Sequence, residues 1–139
     1  MTGLPAETTA DNLKAISSAV AASGGVELWH GVGVTPEAPS LDAVFGGGDC
    51  HRVTAEDLTM AHRDLSTARD GPLDAVALGT PHFSISEFAD LVQLLDGRKT
   101  KPGLVFLVST SRAVRQMAAA KGWIAELERA GVEVPVDVC

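Results

Sequence analysis

Two largely apolar stretches constrain the fold of this chain more than any other feature of the sequence. Residues 73–80 read LDAVALGT, and residues 103–110 read GLVFLVST. Because neighbouring side chains of a strand point to opposite faces, such runs predict strands that are covered on both faces. Each run ends in polar residues that precede a helical pattern, as in a parallel sheet with crossover helices. We therefore predict an α/β fold, a three-layer sandwich in which a mostly parallel sheet of about four strands has helices on both faces.

The rest of the pattern supplies the other strands and the helices. Two further β-type runs, residues 26–33 and 132–139, complete the predicted sheet. Apolar residues at helical spacing predict helices over residues 9–23, 41–45, 54–67, 84–95 and 111–130, the last interrupted at Gly122. With 139 residues, 45% of them hydrophobic, the chain has room for one core and is short for two. We expect a single α/β domain over residues 1–139.

Charge and cysteine content exclude several classes of function. The formal net charge is −7 and the Lys and Arg residues form no long basic run, which argues against a nucleic-acid or anionic-membrane partner. No apolar run approaches the about 20 residues of a membrane helix, and the N-terminus lacks the pattern of a signal peptide. We expect a cytoplasmic protein, in which Cys50 and Cys139 are free thiols or metal ligands rather than a disulfide. Cys50 lies in a Gly-rich loop and is interpreted as a free surface thiol.

The turns that follow the predicted strands carry the candidate chemistry. In a parallel sheet, right-handed crossovers bring every strand-to-helix turn to the same edge, where ligands bind. In one of these turns Ser84 and Glu87 form an S-x-x-E capping box, which leaves Gly79-Thr80-Pro81-His82 without a purely structural role. The helix N-termini behind Ser84 and Ser111 suit an anionic ligand. The residues expected at this edge are His30, Thr35, Glu37, Thr80, His82, Ser109, Ser111, Arg112 and Cys139.

Each of these side chains has a functional and a structural interpretation. His82 can act as an acid or base or bind a carboxylate, and it can equally pack against its turn. Arg112 can clamp a carboxylate through two hydrogen bonds or lie exposed in the first turn of its helix. We interpret Ser111 as a helix cap, and Ser109 or Arg112 as a substrate contact. Glu37 can be a base, or it can only interact favourably with a helix dipole.

The same turns resemble those of a known family. The aconitase X family of hydro-lyases has segments similar, in this order, to GVGVTPEAPSLDAVFGG, LDAVALGTPHFSISEFADLVQLLDGRK, STSRAV and GVEVPVDVC. Its members include cis-3-hydroxy-L-proline dehydratases and phosphomevalonate dehydratases, and they are much longer than this chain. The resemblance implies that the chain is a fragment, one α/β domain of a larger hydro-lyase.

The family's cysteine motifs match this sequence unevenly. A Gly-Cys-Pro-His motif of the family aligns with residues 79–82, so Thr80 stands where many members carry a cysteine. An Asp-Thr-Cys motif aligns with residues 137–139 and keeps Cys139. In the family, cysteines hold an iron or iron–sulfur centre, which as a Lewis acid assists loss of the hydroxyl group. The resemblance implies an incomplete iron site in this chain, with Cys139 as a ligand and a single iron favoured over a complete cluster.

The resemblance also implies a function. We expect part of a hydro-lyase that dehydrates a small hydroxy acid, cis-3-hydroxy-L-proline, and that is inactive as this chain alone. The expected catalytic residues are His82, Ser109 and Arg112, and the expected substrate-binding residues are Thr35, Glu37, Thr80 and Ser84. The expected partners are the hydroxy acid and the remainder of the enzyme or a small swivelling subunit. Two alternatives stay open: a phosphomevalonate dehydratase-like fragment, and a non-catalytic α/β domain that binds a small anion at its strand ends.

Overall fold

The computed structural model describes residues 1–67 and 71–138. The elements in this part of the chain are, in order, α1 (Ala10–Gly24), α2 (Leu41–Val44), α3 (Ala55–Leu65), β1 (Ala75–Leu78), α4 (Ile85–Leu95), β2 (Val105–Val108), α5 (Arg112–Ala120) and α6 (Trp123–Ala130). The predicted helices are thereby confirmed, including the interruption at Gly122 between α5 and α6. The chain divides into two compact units, Met1–Leu4 with His30–Pro72 and Pro5–Trp29 with Leu73–Cys139, which we describe separately.

The larger unit contains a parallel sheet. β1 pairs with β2 in parallel, with Ala75 opposite Val105. On the other edge of β2, the segment after α6 makes isolated parallel bridges, from Glu133 to Leu107 and from Val136 to Thr110. The predicted α/β fold with a parallel sheet is therefore confirmed.

The sheet is narrower than predicted. Residues 26–33 form no strand, because the chain turns back at Gly31, whose carbonyl accepts hydrogen bonds from the amides of Val34 and Thr35. The described part of the predicted last strand makes only bridges, since Pro135 lacks the N–H group that a continuous ladder needs. In the described residues the sheet thus has two strands with a bridged segment beside them, rather than about four strands.

The hydrophobic core of this unit lies against one face of the sheet. Val108 of β2 is fully buried with Phe88 of α4 and Leu127 of α6, and Phe106 packs against the same cluster. Helix α5 adds the buried Ala118. Ala75, Ala77 and Val105 alternate along the strands with the positions on the helix-covered face, and all three are exposed. The described residues therefore place helices on one face of the sheet, and the second helical layer that we predicted is absent from them.

The smaller unit consists mainly of loops. Its amino terminus is fixed by a hydrogen bond from the Met1 amino group to the His30 carbonyl (2.8 Å). Thr54 and Asp57 form a capping box at the start of α3, and no residue of this helix is buried. Among the described helices, none has the length and apolar character needed to span a bilayer. That residues 1–139 form a single domain stays a prediction.

Candidate functional site

The turn after β1 is fixed directly to the end of β2. Gly79 has a φ of 100°, and a Cβ atom at this position would lie 2.1 Å from the Ser109 carbonyl oxygen. Glycine permits both the left-handed backbone and the close approach. The Phe83 amide donates to the same Ser109 carbonyl (2.9 Å), and the Thr110 hydroxyl donates to the Phe83 carbonyl (2.7 Å). The ends of the two strands and the turn between β1 and α4 therefore form one hydrogen-bonded structure.

Ser84 caps α4, as its sequence context predicts. Its hydroxyl accepts from the Glu87 amide (3.2 Å), and the Glu87 carboxylate accepts from the Ser84 amide (2.7 Å). The same hydroxyl donates to the carboxylate of Asp11 in α1 (2.8 Å). These contacts give Ser84 a structural role, and its contact with a substrate stays a prediction.

A lysine that the sequence analysis did not identify lies at this end of α4. Lys14 Nζ is 2.6 Å from Glu87 Oε2 and 3.0 Å from Asp11 Oδ1, and it donates to the His82 carbonyl (3.0 Å). Burial alone would lower the pKa of Lys14, but its hydrogen bonds to the two carboxylates raise it. A hydrogen bond from Ser86 is the main cause of the lowered pKa of Asp11. Because two carboxylates already stand at the positive end of α4, this helix end is poorly suited to an anionic ligand.

The N-terminus of α5 carries a different charge. Ser111 caps the helix by accepting from the Val114 amide (3.3 Å), as predicted, and the first turn has no acidic residue. Arg112 is exposed, and its Nε pairs with Asp137 in the segment after α6. This pairing lowers the pKa of Asp137 and raises that of Arg112. Since Asp137 contacts Nε, a carboxylate ligand has the two terminal nitrogens of the guanidinium to bind, in addition to the helix end.

The turn after β1 leaves the side chain of His82 partly buried. Its Nε2 atom is buried and has no hydrogen-bond partner among the described residues. After Arg112, the His82 side chain makes a smaller electrostatic contribution to the lowering of the Asp137 pKa. A buried polar atom without a partner carries a free-energy cost of about 1–3 kcal/mol, and in native structures such an atom calls for an explanation, such as a catalytic role, a bound water or an ion.

The structure brings four predicted site residues to the ends of the two strands. Ser109 is 8% exposed, and its hydroxyl donates to the Val138 carbonyl. Thr80, in the turn after β1, is exposed. Together with His82 and Arg112 they follow β1 and β2 at one edge of the sheet, as expected for a parallel arrangement. Their roles in binding or catalysis stay predictions.

The other predicted site residues lie in the smaller unit or outside the described residues. Thr35 and Glu37 lie in the smaller unit, where the Thr35 hydroxyl bonds to the backbone of Gly31 (3.2 Å) and Glu37 is exposed. Cys139, the predicted metal ligand, lies outside the described residues. No group of three or more His, Cys, Asp or Glu side chains in residues 1–67 and 71–138 is placed to hold a metal ion. The described residues therefore do not make an iron site by themselves. Cys50 is a free, exposed thiol, as predicted.

Two residues of this edge were not identified as site residues from the sequence. Asp137 lies within the motif aligned at residues 137–139, and that position was the signal available for it. Lys14 had no such signal, because its partners His82 and Glu87 are 68 and 73 positions away in the chain.

Two related enzymes illustrate what this chain is similar to. It is 42% identical over 132 residues to a cis-3-hydroxy-L-proline dehydratase of Pseudomonas aeruginosa, with 93% of this chain and 23% of the relative covered. It is 41% identical over 131 residues to the phosphomevalonate dehydratase large subunit of Methanothermobacter thermautotrophicus, with 94% of this chain and 32% of the relative covered. The chain thus spans about a quarter to a third of the length of these relatives.

A solved structure and two family profiles agree with the resemblance found in the turns. The crystal structure of Thermococcus kodakaraensis aconitase X (holo-form) superposes with a TM-score of 0.85 at 27% identity, covering 99% of this chain and 35% of that one. Residues 1–70 match the profile of the aconitase X second domain, and residues 73–139 match that of the third domain. The expected resemblance is therefore confirmed, and the chain belongs to the aconitase X family.

Proposed function

We propose that this chain is part of a hydro-lyase that dehydrates a small hydroxy acid, cis-3-hydroxy-L-proline. The observation that carries the proposal is its 42% and 40% identity to two relatives named cis-3-hydroxy-L-proline dehydratase, over nearly the whole chain. Four of the five relatives named phosphomevalonate dehydratase large subunit are between 28% and 31% identical. The fifth, at 41%, keeps phosphomevalonate as the second candidate substrate.

Dehydration of a hydroxy acid needs three groups around the substrate. A base removes a proton from the α-carbon, an acid or Lewis acid assists loss of the hydroxyl group, and a cation holds the carboxylate in position. In the proposal, the terminal nitrogens of Arg112 bind the carboxylate at the N-terminus of α5. Asp137 holds the other side of the guanidinium and limits its freedom.

His82 and Ser109 are the proposed partners of Arg112 in the reaction. The buried Nε2 atom of His82 exchanges a proton with the substrate, since this atom has no partner among the described residues. The Ser109 hydroxyl donates to Val138, so its oxygen accepts a hydrogen bond from the substrate rather than giving one. Thr80, exposed in the same turn, is the proposed additional binding residue.

The iron centre and the partners are proposed on the family resemblance. Iron, mononuclear or in an iron–sulfur centre, would draw charge from the leaving hydroxyl group. Because the described residues do not supply a ligand set, we propose that Cys139 and parts of aconitase X beyond this chain hold it. The remainder of the enzyme or a small swivelling subunit is the proposed protein partner, and a cytoplasmic location is proposed from the acidic charge.

The test uses a chimeric dehydratase, in which this chain replaces the matching segment of the Pseudomonas aeruginosa relative. Product formation from cis-3-hydroxy-L-proline is measured with iron present and air excluded. We expect turnover by the chimeric dehydratase and none by the chain alone. In the chimeric dehydratase, His82→Gln should lower kcat by about 10²–10⁴-fold. Arg112→Lys should raise KM by about tenfold through loss of the two-pronged carboxylate contact. Arg98→Lys, at an exposed arginine in the loop after α4, is the matched control and should change neither kcat nor KM.

Each alternative has its own outcome in this assay. Turnover by the chain alone would contradict the expectation that the site is incomplete. Full activity of His82→Gln would remove His82 from the mechanism. Turnover of phosphomevalonate but not of cis-3-hydroxy-L-proline would favour the second substrate. Binding of the hydroxy acid by the chain without turnover in any form would favour the non-catalytic alternative.

A further inference from the structure

One face of the β1–β2 sheet is apolar and uncovered. Val105 is 48% exposed, and Ala75 and Ala77 on β1 are also exposed, while Leu107 is half-buried. These four residues alternate along the strands with those that pack against the helices, so they share one face. We refer to them together as the open face. A parallel sheet is normally covered on both faces, so this exposure is unusual for the fold.

The outer edge of β1 is also uncovered. β1 pairs with β2 on one side, and among the described residues no strand pairs with its other side. Proteins normally protect such an edge with lysine, proline, a bulge or a covering element. The sequence of β1 is Ala-Val-Ala-Leu, which has none of the protective residues. The open face therefore continues into an unprotected edge, and such apolar surfaces mark contacts with other polypeptide.

We infer that the open face and the outer edge of β1 are covered by a part of the aconitase X polypeptide that lies outside the second and third domains. The relevant observation is length: this chain corresponds to 23% of the Pseudomonas aeruginosa relative and to 35% of the solved aconitase X chain. About two thirds or more of such a protein therefore lies beyond the matched region. The covering segment needs an apolar surface, because no charged side chain of β1 or β2 faces it. The inference rests on family membership and not on the proposed substrate.

Cysteine accessibility tests this inference. Ala77→Cys is introduced with Cys50→Ser into the chain alone and into the chimeric dehydratase. Labelling of position 77 by a small maleimide is followed on its own peptide by mass spectrometry, because Cys139 also carries a thiol. We expect the rate at position 77 to fall at least about tenfold in the chimeric dehydratase, because a packed interface excludes the reagent. Labelling in denaturant, where both proteins should react fully, is the control for the thiol itself. The same cysteine is also introduced at the aligned position of the Pseudomonas aeruginosa dehydratase, so that labelling can be measured in that protein if the chimeric protein does not fold.

Equal labelling rates at position 77 in the chain alone and in the longer proteins would overturn the inference. A second copy of this chain is the competing occupant, and sedimentation of the chain alone over a range of concentrations addresses it. Self-association that Val105→Lys abolishes, together with slow labelling of the chain alone, would assign the open face to a second copy instead. Protection of position 77 in a chimeric protein that lacks dehydratase activity would still support the inference. The labelling experiment can therefore succeed where the proposed function fails.

Discussion

A methyl group on Gly79 would test how closely the ends of β1 and β2 are joined. In Gly79→Ala the new Cβ atom would lie 2.1 Å from the Ser109 carbonyl oxygen and 2.7 Å from the Ser109 amide nitrogen. The left-handed φ of 100° costs an L-residue about 1–2 kcal/mol. Relief of the contact also requires a backbone shift that weakens the hydrogen bonds from Phe83 to Ser109 and from Ser109 to Leu78, each worth about 1 kcal/mol. We expect a total loss of about 3–4 kcal/mol in the free energy of unfolding.

Gly97→Ala is the matched control for this substitution. Gly97 also has a positive φ, 70°, but a Cβ atom there would meet nothing within 4 Å. It should therefore show only the backbone cost of about 1–2 kcal/mol. Both variants are compared with the wild-type chain by urea unfolding, followed by circular dichroism and tryptophan fluorescence. Equal losses in the two variants would refute the close approach of β1 and β2 at this point.

Three further substitutions test contacts described above. Lys14→Met should reduce the free energy of unfolding at pH 7 by about 1 kcal/mol. Because the pKa of Asp11 is lowered in the folded chain, the difference between variant and wild type is fully present above about pH 4 and should decline as the pH falls through the lowered pKa of Asp11. Urea unfolding at several pH values measures this decline. Thr110→Val should cost about 1–2 kcal/mol by leaving the partly buried Phe83 carbonyl without its donor. Thr110→Ser, which keeps the hydroxyl, should retain the amide protection of the turn in hydrogen exchange. Leu127→Ala, at a fully buried position, should cost about 3 kcal/mol, whereas Leu94→Ala, at a position 69% exposed, should change the urea midpoint little.

The sequence predicted those elements whose signals are local. The capping box of Ser84 and Glu87 requires two residues three positions apart, and the structure has both of its hydrogen bonds. The apolar runs that predicted β1 and β2 are also contiguous, and the two strands pair in parallel as expected. Helical spacing and Gly122 likewise predicted α5 and α6 with the break between them.

Long-range features could not be predicted in the same way. The contacts of Lys14 join α1 to a turn far along the chain, and no spacing pattern records them. The strand predicted over residues 26–33 was wrong for a related reason, because the β preference of Val, Leu and Trp depends on a neighbouring strand. That segment instead ends in a turn at Gly31. The open face of the sheet was also missed, because an apolar run indicates that a face is covered without indicating which polypeptide covers it.

The contacts of Ser109 have a consequence for the dynamics of this edge. The backbone of this one residue bonds to Leu78 and Phe83, and its side chain bonds to Val138, so three chain segments share a single anchor. Segments joined in this way cannot fluctuate independently, and their amide protons should exchange together rather than one turn at a time. A ligand at this edge therefore meets a preorganised surface, and little conformational entropy is lost when it binds.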